Sequence, residues 1–223
     1  MPKPNTVTGP FCWFWVLFSV SFLLAGDGTP LRFVWQKNNK RGSIEFYRLE
    51  LIEKGTGKFQ FKKREEDLVE LSFVLRPSTV DSLLALFAQA DFLNETKNFA
   101  SPRKVADMGM KTIRLESGLK SREVIFNYTE DKNLQEVVNF FENLCQQEKS
   151  LFEIDLALKY DRLGIPKKLD ELERNLTAKR IVAPERFTPV LEKIYHDESL
   201  MNLARTEARK ILSKIGKMQF FTN

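Results

Sequence analysis

Alternation of apolar and polar residues, the mark of a strand, is confined to the part of this 223-residue chain before residue 149; beyond it only helical periodicity is found. A chain ordered this way implies an α+β body over residues 32–148, then an all-helical extension over 149–216 and a short tail at 217–223. Within the body, residues 43–53 (SIEFYRLELIE) shift phase between Phe46 and Tyr47, as a bulged strand would. The turn Lys54-Gly55-Thr56-Gly57 joins them to the cleanly alternating 58–62, making a hairpin. A charged loop at 63–67 precedes another strand at 68–75. A second hairpin is expected from 111–116 and 122–128. The result is a small antiparallel sheet of two hairpins plus one strand.

Two helices pack this sheet. The first follows Pro77-Ser78-Thr79, with Ser78 and Asp81 spaced as a capping box and Val80, Leu83, Leu84, Phe87 and Ala88 on one face. The second carries Leu134, Val137, Val138, Phe141, Leu144 and Cys145 on a core stripe. Between helix and second hairpin, residues 91–110 lack periodicity and form a long connection, where binding residues tend to collect. In the extension, helices are expected at 151–163, 167–179, 184–195 and 198–215, with Asp197 or Ser199 capping the last.

The first thirty residues are of a different kind. From Pro4 to Gly26 there is no charge, and residues 11–25 are almost wholly apolar behind Lys3 and the α-amino group. Charge, apolar run and a polar exit in that order are the layout of a secretory signal, and the core is shorter than the roughly 20 residues of a membrane span. Residues 1–28 are therefore read as a signal peptide or a retained N-terminal anchor, placing the protein in the periplasm or outside the cell. Arg32, Lys37, Lys40 and Arg41 leave the orientation rule almost balanced, so a cytoplasm-facing anchored protein stays open. Association with a membrane would run through residues 10–26.

The composition excludes several classes of function. With 43% hydrophobic residues the chain can fill a core, which rules out a wholly disordered or collagen-like protein. A net charge of +5 is mild and spread out, so nucleic acid is not expected as a partner. One histidine and two cysteines leave no CxxC or HxxxH pattern, and neither metal nor cofactor is expected. Cys12 is a passive member of the apolar run, and Cys145 on its helical stripe reads as a small buried hydrophobe.

Candidate chemistry is sparse. Gly55-Thr56-Gly57-Lys58 lacks the glycine spacing of a phosphate loop and leads into a strand, so it is a hairpin turn. His196 stands beside Asp197 at a helix end without an accompanying nucleophile. Glu65-Glu66-Asp67 is a solvated loop, and Asp170, Glu171 and Glu173 alternate with basic residues on an exposed helix face. Asn94, Asn127 and Asn175 head glycosylation-type triplets. Asp107, Met108 and Gly109 form the most distinctive loop element. They read as a turn, or as contacts to a ligand or partner.

Residues 47–63, then 71–75 with Pro77-Ser78-Thr79 opening a Leu/Phe helix, Asp107…Gly109 before a hairpin and the closing helix 134–144, resemble a domain of unknown function found in exported bacterial proteins. The likeness covers roughly residues 43–146 and implies a small antiparallel sheet packed by helices, with no established activity. Residues 189–215, with Ala204-Arg205 and Ala208-Arg209, resemble one HEAT-type helical pair. The sequence thus points to a non-enzymatic exported protein that binds an envelope component or another protein. Two alternatives accompany it: a hydrolase using carboxylates near residues 91–110, and a membrane-anchored adaptor facing the cytoplasm.

Overall fold

A computed structural model describes residues 30–220. The expected leader at 1–28, with Cys12, lies outside the described residues. Six strands form one antiparallel sheet: β1 (Arg32–Asn38), β2 (Ile44–Ile52), β3 (Thr56–Lys63), β4 (Leu68–Val74), β5 (Met110–Ser117) and β6 (Lys120–Phe126), in the order β4-β3-β2-β1-β5-β6. The fold is α+β with C-terminal helices, as the sequence pattern indicates.

The strand absent from the expected set is β1, and it lies at the centre. It pairs with β2 on one side and β5 on the other, joining the two hairpins into a single sheet. Its Phe33 and Trp35 point to the core and are 0% and 1% exposed. The β2 irregularity falls between Ile44 and Phe46, just before the expected phase shift. At the β2–β3 turn, Gly55 takes φ +85°, and a Cβ there would run into the Leu75 carbonyl oxygen. Only glycine fits that corner.

One face of the sheet is covered by α1 (Pro77–Gln89) and α2 (Lys132–Tyr160). Phe33 meets Phe87 of α1 at 5.4 Å between ring centroids, Trp35 stacks on Phe141 of α2 at 6.1 Å, and Phe61 meets Phe152 edge-on at 5.7 Å. The expected stripe of α2 is buried throughout, Cys145 included. The capping box at Ser78 is not formed. Pro77 occupies the first helical turn behind Arg76, and no side chain caps the helix. A proline there fixes φ for helix entry and has no N–H to satisfy. α2 instead begins with a side-chain cap, Asp131, whose carboxylate accepts the Leu134 N–H at 2.9 Å.

The opposite sheet face is polar. Arg32 and Arg48 converge on Glu50 at 2.6 and 2.5 Å, Arg114 reaches Glu123 at 2.7 Å, and Lys58 reaches Glu70 at 3.4 Å. Opposite charges on neighbouring strands keep that face soluble while contributing little to stability.

α2 does not stop near residue 148. The period expected at 134–145 and most of that expected at 151–163 belong to one 29-residue helix, which ends at Tyr160; residues 162–164 form a separate 3-10 turn. Its first half enters the sheet's core, whereas Ile154, Ala157 and Leu158 enter a second core with α3 (Ile165–Thr177), α4 (Thr188–His196) and α5 (Asn202–Phe220). Leu200, Ala204, Ala208, Ile211 and Ile215 line that second core, but Leu203 faces outward. The last helix starts at Asn202, later than expected, because the Asp197 carboxylate accepts the Ser199 N–H at 3.0 Å and holds a turn there instead of capping a helix. It also continues past 216, through Phe220.

Between the two cores, α2 carries two buried polar residues, Gln147 and Glu148. The Gln147 amide oxygen accepts the N–H groups of Val182 and Ala183 at 3.1 and 2.8 Å. Glu148, its side chain 3% exposed, is clasped by Arg186 through Nε at 2.7 Å and Nη2 at 2.6 Å. Arg186 also donates to the Val74 carbonyl of β4 at 3.2 Å and lies over the Phe73 ring. This polar joint ties helix, connecting segment and sheet edge together. Among the described residues no helix is long and apolar enough to cross a membrane.

Candidate functional site

The connection from residue 91 to 110 is irregular but packed. Phe92 and Phe99 are buried, and the Arg122 guanidinium from β6 lies over both rings. The same guanidinium donates to the carbonyls of Phe92, Asn94 and Lys97. One arginine therefore fixes the first half of the loop, through the fork of donors that lysine lacks. The second half is fixed by Asn127, whose amide accepts the Met108 N–H at 2.8 Å and donates to the Ala106 carbonyl at 2.9 Å.

Of the three loop residues singled out in the sequence, the Asp107 side chain is exposed, and its carboxylate accepts the Gly109 N–H at 3.0 Å, an Asx turn. Gly109 takes φ +86° and is buried against Lys37, Asn38 and Asn39. Met108 is 53% exposed and lines a cleft of about 240 Å³ that neither Asp107 nor Gly109 lines. Asp107 and Gly109 thus form the expected turn, and of the three only Met108 borders the cleft.

The walls of this cleft come from β1, β5, β6 and α2. A single row crosses the covered face of the sheet: Val69, Phe61, Tyr47, Lys37, Lys111 and Phe126, one residue from each strand. Lys37 and Lys111 are direct cross-strand partners in the middle of that otherwise aromatic and aliphatic row. Like charges placed opposite one another on one sheet face are destabilising, and burial adds to the cost.

Each lysine is partly compensated. Lys111, 6% exposed, donates to the backbone carbonyls of Asn127 at 3.0 Å and of Met108 and Gly109 at 3.4 Å. Lys37 pairs with Glu142 of α2 at 2.7 Å, its side chain 20% exposed. Burial pushes the Lys111 ammonium below its usual range and neighbouring Lys37 adds to this, while Glu142 and Asp107 act in the opposite sense. Gln135, Val138, Asn139 and Glu142 reach the cleft from one face of α2, at the spacing of successive helical turns. Tyr128 and Thr129 complete the lining.

The sequence did not single out Lys37, Lys111 or Glu142. The available signal was phase: each lysine continues the inward alternation of its strand, after Phe33 and Trp35 in β1 and before Ile113 and Leu115 in β5.

The other sequence candidates are not brought together with this cleft. Cys145 is 2% exposed, and burial raises its thiol well above the usual range, so it is no nucleophile. His196 is exposed, its ring 4.7 Å from that of Tyr195 at the end of α4. Among the described residues no group of three or more histidine, cysteine or carboxylate side chains is placed to hold a metal ion. A larger trough of about 640 Å³ runs between α1, α2 and the segment 179–185. Its Arg76 is already occupied by Glu185 at 3.5 Å. No protein-family model matches the chain, and no curated protein matches it either.

Proposed function

We propose that this protein is a non-enzymatic, exported component of the cell envelope that works by binding, and that its ligand enters the cleft beneath Met108. One observation carries the choice of site: two lysines stand side by side on the buried face of the sheet, where the fold alone would favour apolar residues. Polar groups kept in a core at a cost to stability point to a binding role. Export rests on the uncharged apolar run at 11–25. The absence of enzymatic activity is supported by the exposure of Asp107, whose carboxylate is engaged in its own turn, and by the burial of Cys145.

Methyl-labelled methionine spectra recorded against a library of small molecules test the site. Saturable shifts of the Met108 methyl are expected, and the compound that causes them should bind the Met108→Ala variant more weakly when titrated by calorimetry. If no compound moves that methyl, or the variant binds as well as the native chain, the cleft is not the site. A reporter active only outside the cytoplasm, fused after Asn223, tests export; a silent reporter with intact fusion protein refutes it.

A further inference from the structure

We infer that the ligand of this cleft carries an oxyanion, a carboxylate or phosphate end, seated on Lys37 with the neighbouring Lys111 adding its charge, and that Glu142 is the internal counter-ion it displaces. The inference rests on the cleft being the binding site and adds the ligand's chemistry.

The charges are the first argument. Of the cleft's lining residues two are ammonium groups and one a carboxylate: Lys37 pairs with Glu142, Lys111 donates to carbonyl oxygens, and Asp107, outside the lining, attracts Lys111 less than Glu142 does. A second negative group would relieve the remaining repulsion between the opposed lysines. A cationic ligand would worsen it. Holding the loop explains Lys111, because its three carbonyl acceptors fix Met108, Gly109 and Asn127. It does not explain Lys37, which contacts none of those carbonyls through its ammonium and pairs with a helix residue instead.

Exchangeability is the second argument. The Glu142 side chain is 37% exposed, so it can swing into water at little desolvation cost when another anion arrives. Lys37 is less exposed and fixed on the central strand, so it stays. Shape is the third. Phe126, Val138 and Met108 supply apolar wall beside the lysines, while Tyr128 and Asn139 bring neutral donors of their own. At about 240 Å³ the cleft is below the range of drug-sized pockets. It suits a small acid with a short apolar portion.

The test is calorimetric titration of the full chain with hexanoate, hexanamide and inorganic phosphate, repeated on Glu142→Gln and Lys37→Met. Hexanoate is expected to bind and hexanamide not, with phosphate binding showing how far the anion alone suffices. Glu142→Gln removes the competing carboxylate and is expected to tighten hexanoate roughly fivefold, the equivalent of one unit-charge contact in a solvated site. A gain of affinity cannot arise from misfolding, so this variant decides even if Lys37→Met, expected to lose binding, proves unstable. Hexanamide binding as tightly as hexanoate, or Glu142→Gln weakening hexanoate, overturns the oxyanion while leaving the cleft as a binding site. Binding of none of the three, together with an unmoved Met108 methyl across the library, removes both.

Discussion

Replacing Arg186 by Met should destabilise the protein by about 3 kcal/mol, because it strands the Glu148 carboxylate in the joint between the two cores. Glu148 is 3% exposed at its side chain and takes two charge-assisted hydrogen bonds, at 2.7 and 2.6 Å, from Arg186. Only the Gln147 amide, at 3.0 Å, would remain. Breaking a buried pair from one side typically costs about 3–5 kcal/mol. The Arg186 side chain is 21% exposed, which places the loss at the lower end of that range. Removing the whole pair is a different perturbation. In Arg186→Met combined with Glu148→Met no charge is left buried, and such replacements are often neutral or stabilising.

The double variant should therefore recover about 2 kcal/mol or more of what the single one loses. Urea unfolding of the full chain, of Arg186→Met, of Glu148→Met and of the double variant, followed by circular dichroism, gives the four free energies of the cycle. Amide exchange over α4 and α5 shows whether the helical extension loosens first in Arg186→Met. A loss below about 1 kcal/mol in the single variant would mean that water reaches Glu148 and that the joint is not dry. A double variant as unstable as the sum of its parts would refute the pairing argument itself.

Other outcomes follow from the same contacts. Burial pushes the Tyr47 phenol up to about 12, with Cys145, Glu153 and Glu142 adding to it. The folded state thus favours the neutral phenol, and stability should fall as pH rises from about 10 towards 12; in Tyr47→Phe the absorbance step at the upper end should vanish. For Asp131, burial opposes ionisation, but Lys97 and the Leu134 N–H outweigh it and hold the carboxyl below its ordinary 3.8. Its contribution is present above that value and is lost as pH falls through the lower folded one, so Asp131→Ala should lose about 1 kcal/mol at pH 7 and show a flatter acid limb in thermal melts. Arg122→Met leaves three loop carbonyls without their donor. It should cost about 2 kcal/mol and speed amide exchange across residues 91–100, with little change in α5.

The elements legible in the sequence were those whose periodicity is strong and locally bounded. The β2–β3 hairpin was marked by its glycine turn, and the α2 stripe by six apolar residues at helical spacing, all of them buried in the fold. What failed was punctuation. Ser78 and Asp81 matched a capping pattern, but Pro77 one residue earlier takes the helix start without any side-chain cap. The polar stretch Gln146-Gln147-Glu148-Lys149-Ser150 read as the end of a helix. It is helical throughout, because Gln147 and Glu148 have partners brought in from residues 182–186, far away in sequence. A buried polar pair satisfied by a distant segment looks, locally, the same as a solvated loop.

The same blindness to distant partners hid the candidate site. β1 follows directly on a leader-like stretch, and its charges at Arg32 and Lys37 were read as flanking charge when two neighbouring strands make it the sheet's centre. Lys37 and Lys111 are 74 residues apart and become neighbours through the β1–β5 pairing, which with β1–β2 joins the hairpins into one sheet. Fold and site therefore share a cause. The pairing that completes the core also places two ammonium groups in one row, and any sequence change that kept the sheet without a use for those charges would be free to replace them with Leu or Met and gain stability. Their presence on the covered face, in a row otherwise aromatic and aliphatic and paired with a partly exposed glutamate, is what distinguishes this corner of the sheet.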